Sequence, residues 1–93
     1  MKETVIVDIE RKAMAHVDML REQRGLSEKE LGELAFPEAK NPRQKVNALR
    51  NPRGLKGEPL RIRLGDYCAM VEAMGLNPAQ ELLVIYGQRQ QES

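Results

Sequence analysis

The feature that most constrains the fold of this chain is a repeated helix-start signal, Asn-Pro-x-Gln, at residues 41–44 and again at 77–80. Asparagine is a strong N-cap, and a proline at the first helical position has its φ angle preset and gives up no N–H group that the helix needs. A third start signal is Ser27 with Glu30 three residues later, which is the spacing of a capping box. These signals divide the chain into short helices, and they predict an all-α fold.

Stop signals and apolar spacing set the bounds of five predicted helices. Gly25 and Gly75 favour helix ends because glycine adopts the left-handed cap conformation at little cost, and Pro37 and Pro52 prevent the preceding helices from continuing. The predicted helices cover about 7–24, 27–36, 41–51, 64–74 and 77–87, with a short extended segment at 60–64 and a frayed polar tail at 88–93. The residues that form their apolar sides are Ile6, Ile9, Ala13, Val17 and Leu20; Leu31, Leu34 and Ala35; Val46 and Leu49; Leu64, Tyr67, Cys68 and Val71; and Leu82, Leu83, Ile85 and Tyr86.

Composition predicts one small domain with an aliphatic core. The chain has 93 residues with no Trp, one Phe and two Tyr, so aromatic side chains contribute little to the interior. The single cysteine, Cys68, excludes a disulfide within the chain and is compatible with a reducing cytoplasm. No apolar run approaches the ~18 residues of a membrane span, and residues 4–9 are too short and too charged to be a signal-peptide core. We therefore expect a single cytoplasmic domain over residues 1–93.

Charge is sorted sharply along the chain, although the formal net charge is only +1. Residues 40–63 hold eight basic residues and one acid, Glu58, whereas the remaining residues hold seven basic and thirteen acidic residues. The segment therefore has a net charge of +7 and the remainder −6. Such a basic segment favours a polyanionic partner, although most charge runs are simply solvated surfaces. The basic residues of the segment are Lys40, Arg43, Lys45, Arg50, Arg53, Lys56, Arg61 and Arg63.

Residues 20–76 resemble the lambda-repressor-like (Cro-type) helix-turn-helix domain. Residues 24–32, Arg-Gly-Leu-Ser-Glu-Lys-Glu-Leu-Gly, look like that family's turn into its second helix, with Gly32 as the small residue packed against the next helix. Val46 and Leu49 match the two buried positions of the family's recognition helix. The resemblance implies a five-helix domain that binds double-stranded DNA as a bacterial or phage transcription regulator, with repression as the default role and neither catalysis nor a cofactor.

The chain departs from the family pattern in two places near this motif. The connection that includes residues 36–40 is longer than the usual three-residue turn. Glu28 stands where the family commonly has a glutamine that contacts phosphate. We expect the structure to differ from the family most in the connection ahead of the third helix.

The resemblance assigns roles to the side chains around the third helix. Arginine can bond guanine O6 and N7 together, and Gln or Asn can bond adenine N6 and N7. Phosphate contacts position a protein on DNA without reading its sequence. The expected base-reading residues are Arg43, Gln44 and Asn47, and the expected phosphate contacts are Lys45, Arg50, Asn51, Arg53 and Lys56. Arg61 and Arg63 are left open between a structural and a DNA-binding role.

Other functions have weaker support in the sequence. His16 is the only histidine, so no histidine-based metal set or catalytic triad can be assembled, and it is expected at the surface or boundary of its helix. The alternative to DNA binding is an antitoxin-like or adaptor module whose basic face binds an acidic protein. For DNA binding we expect a homodimer, because one small helix contacts few bases, with Leu83, Ile85 and Tyr86 at its interface.

Overall fold

Five α-helices and no strand make up the described part of the chain, which in this computed structural model comprises residues 1–51 and 61–92, with side chains through residue 87. The helices are α1, Glu3–Gln23; α2, Glu28–Ala35; α3, Pro42–Arg50; α4, Leu64–Ala73; and α5, Pro78–Glu92. The predicted all-α fold is confirmed.

Two predicted helix bounds are wrong. α1 begins at Glu3 rather than at residue 7, and an acidic side chain in the first turn is favourable to the helix dipole. α5 continues to Glu92 through the tail that was expected to fray. The tail is polar, but Gln, Arg and Glu are good helix formers, so polarity alone does not end a helix.

The local start and stop signals form the expected backbone structures. The Ser27 hydroxyl accepts a hydrogen bond from the Glu30 N–H, and the Glu30 carboxylate accepts one from the Ser27 N–H, both at 3.0 Å. These two bonds complete the capping box of α2. Gly25 and Gly75 have φ angles of +65° and +78°, and this left-handed conformation closes α1 and α4.

Every helix contributes at least one fully buried side chain to one apolar core. α1 packs against α3, α4 and α5, whereas α2 packs against α3 and α4. The core is also linked across α4 and α5 because the Tyr67 hydroxyl donates to the Pro78 carbonyl at 3.1 Å. The largest fully buried side chains are Val17, Leu31, Val46, Met70, Val71 and Ile85.

Two leucines that were expected to face inward are exposed. Leu34 is 58% exposed because α2 buries its Leu31–Gly32 side, and Leu34 lies about 110° around the helix from the middle of that side. Leu64 is 74% exposed. Leu64 lies on the same side of α4 as the buried Val71. It is the first residue of the helix, however, and lies beyond the end of the core.

Two residues that were expected at the surface or boundary of a helix, or in a dimer interface, belong to the interior. His16 is buried, and its Nε2 lies 2.8 Å from Glu81 Oε1 on α5. This contact gives α1 and α5 a polar link between positions 65 residues apart. Ile85, which was expected in a dimer interface, is 1% exposed and packs in the core. Cys68 is half-buried and packs against the same core, on the inner side of its helix as expected.

Candidate nucleic-acid interface

α3 is attached to the protein along one narrow side. Of its nine residues, only Val46 and Leu49 are buried. Gly32 of α2 lies so close to the start of α3 that a Cβ atom added to it would be 2.6 Å from the carbonyl carbon and oxygen of Pro42. Gly32 is therefore packed against the next helix, as expected, and much of the α3 surface remains open.

Three amide side chains follow one another along α3 and its C-cap, and we call Gln44, Asn47 and Asn51 the amide row; Gln44 is exposed, and Asn47 and Asn51 are half-buried. At about 100° per residue, Gln44 and Asn47 project away from the buried stripe of the helix. Asn51 is the C-cap, and its N–H donates to the Asn47 carbonyl at 2.8 Å. The amide row therefore offers hydrogen-bond donors and acceptors in a line along the helix.

The leading end of α3 carries two exposed cations, Lys40 and Arg43, that have no carboxylate partner among the described residues. Between them lies the cap, where the Asn41 side chain accepts from the Gln44 N–H and donates to Gln44 Oε1, both at 3.2 Å. The N-terminal end of a helix also carries a partial positive charge. These charges together give the leading end of α3 an attraction for anions.

Asn47 and Arg50 are held by one carboxylate, that of Glu28 at the start of α2. Asn47 Nδ2 donates to Glu28 Oε2 at 3.0 Å, and Arg50 Nη1 donates to Glu28 Oε1 at 2.6 Å. The guanidinium of Arg50 also lies 3.2 Å from Asp18 Oδ2, while Asp18 Oδ1 accepts two hydrogen bonds from Arg21. We call Glu28, Asn47, Arg50 and Asp18 the Glu28 network.

The Glu28 network changes the acid–base properties of its members. Burial by itself would raise the pKa of Glu28, but hydrogen bonds from Asn47 and Arg50 and the charges of Arg50 and Arg21 outweigh it, so the pKa lies below its ordinary value. The carboxylate of Asp18, with that of Glu28, raises the pKa of the exposed Arg50. Glu28 therefore remains ionised at neutral pH and neutralises part of the charge of α3.

Lys45 lies on the other flank of α3 and is held against the connection from α2. Its Nζ is 4.4 Å from the centre of the Phe36 ring and 3.4 Å from Asp66 Oδ1 at the start of α4. Six residues, 36–41, separate α2 from α3. The long connection that the sequence predicted is present, and the Lys45–Phe36 contact packs one side of it against α3.

Arg61 and Arg63 have structural partners. Arg61 donates two hydrogen bonds to Glu10, at 2.8 and 3.0 Å, and one to Glu3 at 3.1 Å, which ties the segment before α4 to α1. Arg63 lies 3.4 Å from Asp66. With Lys45 and Arg50, four of the six basic residues described between positions 40 and 63 thus pair with the chain's own carboxylates. The separation of charge is smaller in three dimensions than along the sequence.

The structure brings together most of the residues that the resemblance singled out, and it adds two. Arg43, Gln44, Asn47, Lys45, Arg50 and Asn51 all lie on α3 or at its C-cap, while Arg53 and Lys56 lie outside the described residues. Asp18 and Glu28 were missed as contributors to this surface. Their contacts with α3 span long stretches of sequence, and the only available signal was the unusual acid at Glu28.

Comparisons with protein families, with curated proteins and with solved structures found no match to this chain. In the part of the chain that the structure describes, no helix is long and apolar enough to cross a membrane. The same residues contain no group of three or more His, Cys, Asp or Glu side chains that could hold a metal ion.

Proposed function

We propose that this protein binds double-stranded DNA in a sequence-specific manner, as a helix-turn-helix transcription regulator of the lambda-repressor-like type. In this proposal α2 and α3 form the helix-turn-helix, and α3 enters the major groove. The observation that carries the proposal is the amide row along α3, next to the exposed cation of Arg43, which has no carboxylate partner among the described residues. Side chains of these types match the hydrogen-bonding groups of base edges.

Each candidate residue has a distinct role in the proposal. Arg43, Gln44 and Asn47 read bases, and each well-formed pair discriminates against the wrong base by about 1–3 kcal/mol. Lys45, Arg50, Asn51, Arg53 and Lys56 hold phosphates and fix the position of α3 in the groove. Occupancy of an operator would then repress transcription, and the protein would act on the nucleoid in the cytoplasm.

A homodimer is the proposed DNA-binding form. One α3 helix contacts only a few base pairs, and two-fold operators are the usual way to obtain a longer site. Leu83 is 73% exposed, Val84 45% and Tyr86 37%, so the outer side of α5 is apolar and open. We propose this side as the interface in place of the one that included Ile85. Sedimentation that gives a monomer both free and on DNA would remove this part of the proposal.

Selection of bound sequences from a random duplex pool, followed by substitution, tests the proposal. Arg43→Ala is expected to relax the preference at one base position by about 1–3 kcal/mol. Lys40→Ala is a matched control, because it removes the same charge just before the cap of α3. It is expected to weaken binding to all sequences alike. The opposite pattern would show that the base-reading side of α3 has been misassigned.

A second candidate function is an antitoxin-like or adaptor module that binds an acidic protein. The pairing of Lys45 and Arg50 with the chain's own carboxylates leaves less positive charge for either an acidic protein or a nucleic acid, so charge alone does not separate the two candidates. A titration with duplex DNA and with poly-glutamate of equal charge separates the two candidates. The DNA-binding proposal requires the protein to bind duplex DNA more tightly than poly-glutamate. It also requires the affinity to differ among duplex sequences.

A further inference from the structure

Glu28 connects α2 to two candidate DNA-contacting residues of α3. One carboxylate oxygen accepts from Asn47 at 3.0 Å and the other accepts from Arg50 at 2.6 Å. The Glu28 side chain is only 17% exposed, so these partners replace much of its contact with water.

We infer that Glu28 is a positioning residue that sets base specificity through Asn47, at some expense of overall DNA affinity. This inference rests on the proposed function. It assigns to Glu28 no contact with DNA, because a carboxylate and a phosphate repel each other.

The chemistry of the carboxamide explains how Glu28 positions Asn47. An asparagine side chain has an oxygen that only accepts and an NH₂ group that only donates. Glu28 also only accepts, so it selects the Asn47 orientation in which Nδ2 faces the carboxylate. The Asn47 oxygen and the second amide hydrogen are left to face the groove in a fixed order. A glutamine at position 28 could satisfy either orientation of Asn47, since it has both a donor and an acceptor.

The negative charge of Glu28 explains the lower affinity for DNA. Glu28 and Asp18 both hold Arg50, which is a proposed phosphate contact. Removing one of these negative charges leaves Arg50 freer to neutralise a phosphate. Each additional neutralised phosphate steepens the slope of log affinity against log salt by about 0.9.

The isosteric variant Glu28→Gln tests both parts, and Asp18→Asn is its matched control. Asp18 contacts Arg50 but has no described contact with Asn47, so its substitution changes the charge and leaves the orientation of Asn47 alone. Dissociation constants would be measured for the full chain on its selected duplex and on every single-base variant of that duplex. Thermal melting would establish that each protein is folded at the temperature of the assay.

Both variants are expected to bind the selected duplex more tightly than the wild type, with a salt slope steeper by up to about 0.9. Only Glu28→Gln is expected to lose discrimination at one base pair. At that base pair, the ratio of the dissociation constants for the wrong and the correct base should fall from roughly 5- to 150-fold, the range of a well-formed pair, to about 3-fold or less. Full discrimination in folded Glu28→Gln, or equal loss in Asp18→Asn, would overturn the inference.

A measurement without DNA separates this inference from the proposed function. Nuclear magnetic resonance of the Asn47 side-chain amide should show a more ordered group in the wild type and Asp18→Asn than in Glu28→Gln. Equal mobility in all three proteins would overturn the positioning role even if DNA binding is confirmed. An ordered Asn47 amide in a protein that binds no duplex would instead refute the proposed function, and the specificity role with it.

Discussion

Gly32→Ala is expected to destabilise the protein by forcing α2 and α3 apart. The added Cβ atom would lie 2.6 Å from the carbonyl carbon and oxygen of Pro42, whereas ordinary contact begins at 3.4 Å, so the start of α3 must withdraw by roughly 0.8 Å. The obstacle is backbone, and no side-chain rotation can relieve it. The movement also loosens the core around Leu31 of α2 and Val46 of α3, both of which are fully buried.

The size of this effect follows from two opposing terms. Overpacking of this kind costs about 1–3 kcal/mol, while replacing glycine by alanine inside a helix gains about 0.8–1 kcal/mol. A clash with backbone lies at the costly end of the first range, so we expect a net loss of about 2 kcal/mol. For a domain of this size the melting temperature should fall by roughly 8–16 °C.

Gly65→Ala provides the control for thermal melting followed by circular dichroism. Gly65 lies in α4, and a Cβ atom added to it meets nothing within 4 Å. This variant should melt at or slightly above the wild-type temperature, because only the helix propensity changes. If Gly32→Ala melted within about 2 °C of Gly65→Ala, far short of the loss expected from a 2 kcal/mol cost, the close approach of α2 to α3 would be refuted.

Three further predictions test the cap, the core and the Glu28 network. Ser27→Ala should cost about 1 kcal/mol in urea unfolding, since it removes the acceptor of the capping box; no measurable loss would contradict the cap. Ile85→Ala should cost about 2–5 kcal/mol at every protein concentration, because it leaves a cavity in the core, while the exposed Leu83→Ala should cost much less. A loss for Ile85→Ala that depends on protein concentration would place Ile85 in an interface. The pKa of Glu28 is lowered on folding, so its stabilising effect is fully present above the ordinary value of 4.5 and is lost as the pH falls through the folded value. The difference in stability between the wild type and Glu28→Gln should therefore shrink as the pH falls from 6 to 3, and a constant difference would show that the carboxylate charge contributes nothing.

The sequence predicted the starts of α2, α3 and α5 well because each depends on residues two or three positions apart. Ser27 with Glu30 and Asn41 with Gln44 form hydrogen bonds within a single turn, so the pattern is visible in the order of the residues. The same holds for the glycine that closes α1, whose φ angle has a local cause. The all-α architecture follows from such local signals.

The sequence could not predict contacts that join distant positions. The pairing of His16 with Glu81 spans 65 residues and that of Arg61 with Glu10 spans 51, and no periodicity brings them together. Leu34 was misplaced for a related reason: an eight-residue helix with several apolar residues has more than one side that could face the core. Which side it buries depends on where its neighbours lie.

The candidate site was predictable in part for the same reasons. The exposure of Arg43 and Gln44 follows from the cap and the narrow apolar stripe of α3, and both are exposed as expected. That they read bases is still a prediction. The charge of the basic segment was overestimated, because Glu28 acts on Arg50 from 22 residues away. A count of charges along the sequence therefore gives only an upper limit to the net charge of a surface. Carboxylates from distant positions can pair with its basic residues in the folded protein.

The salt dependence of binding to a selected duplex tests the central claim most directly. Contacts with about 4–6 phosphates should give a slope of log affinity against log salt between about −3.6 and −5.4. The same preference among sequences should persist at each salt concentration, since base contacts rather than phosphate contacts carry it. A folded protein that binds no duplex detectably at ~50 mM salt would contradict the proposal that α3 is a DNA-recognition helix.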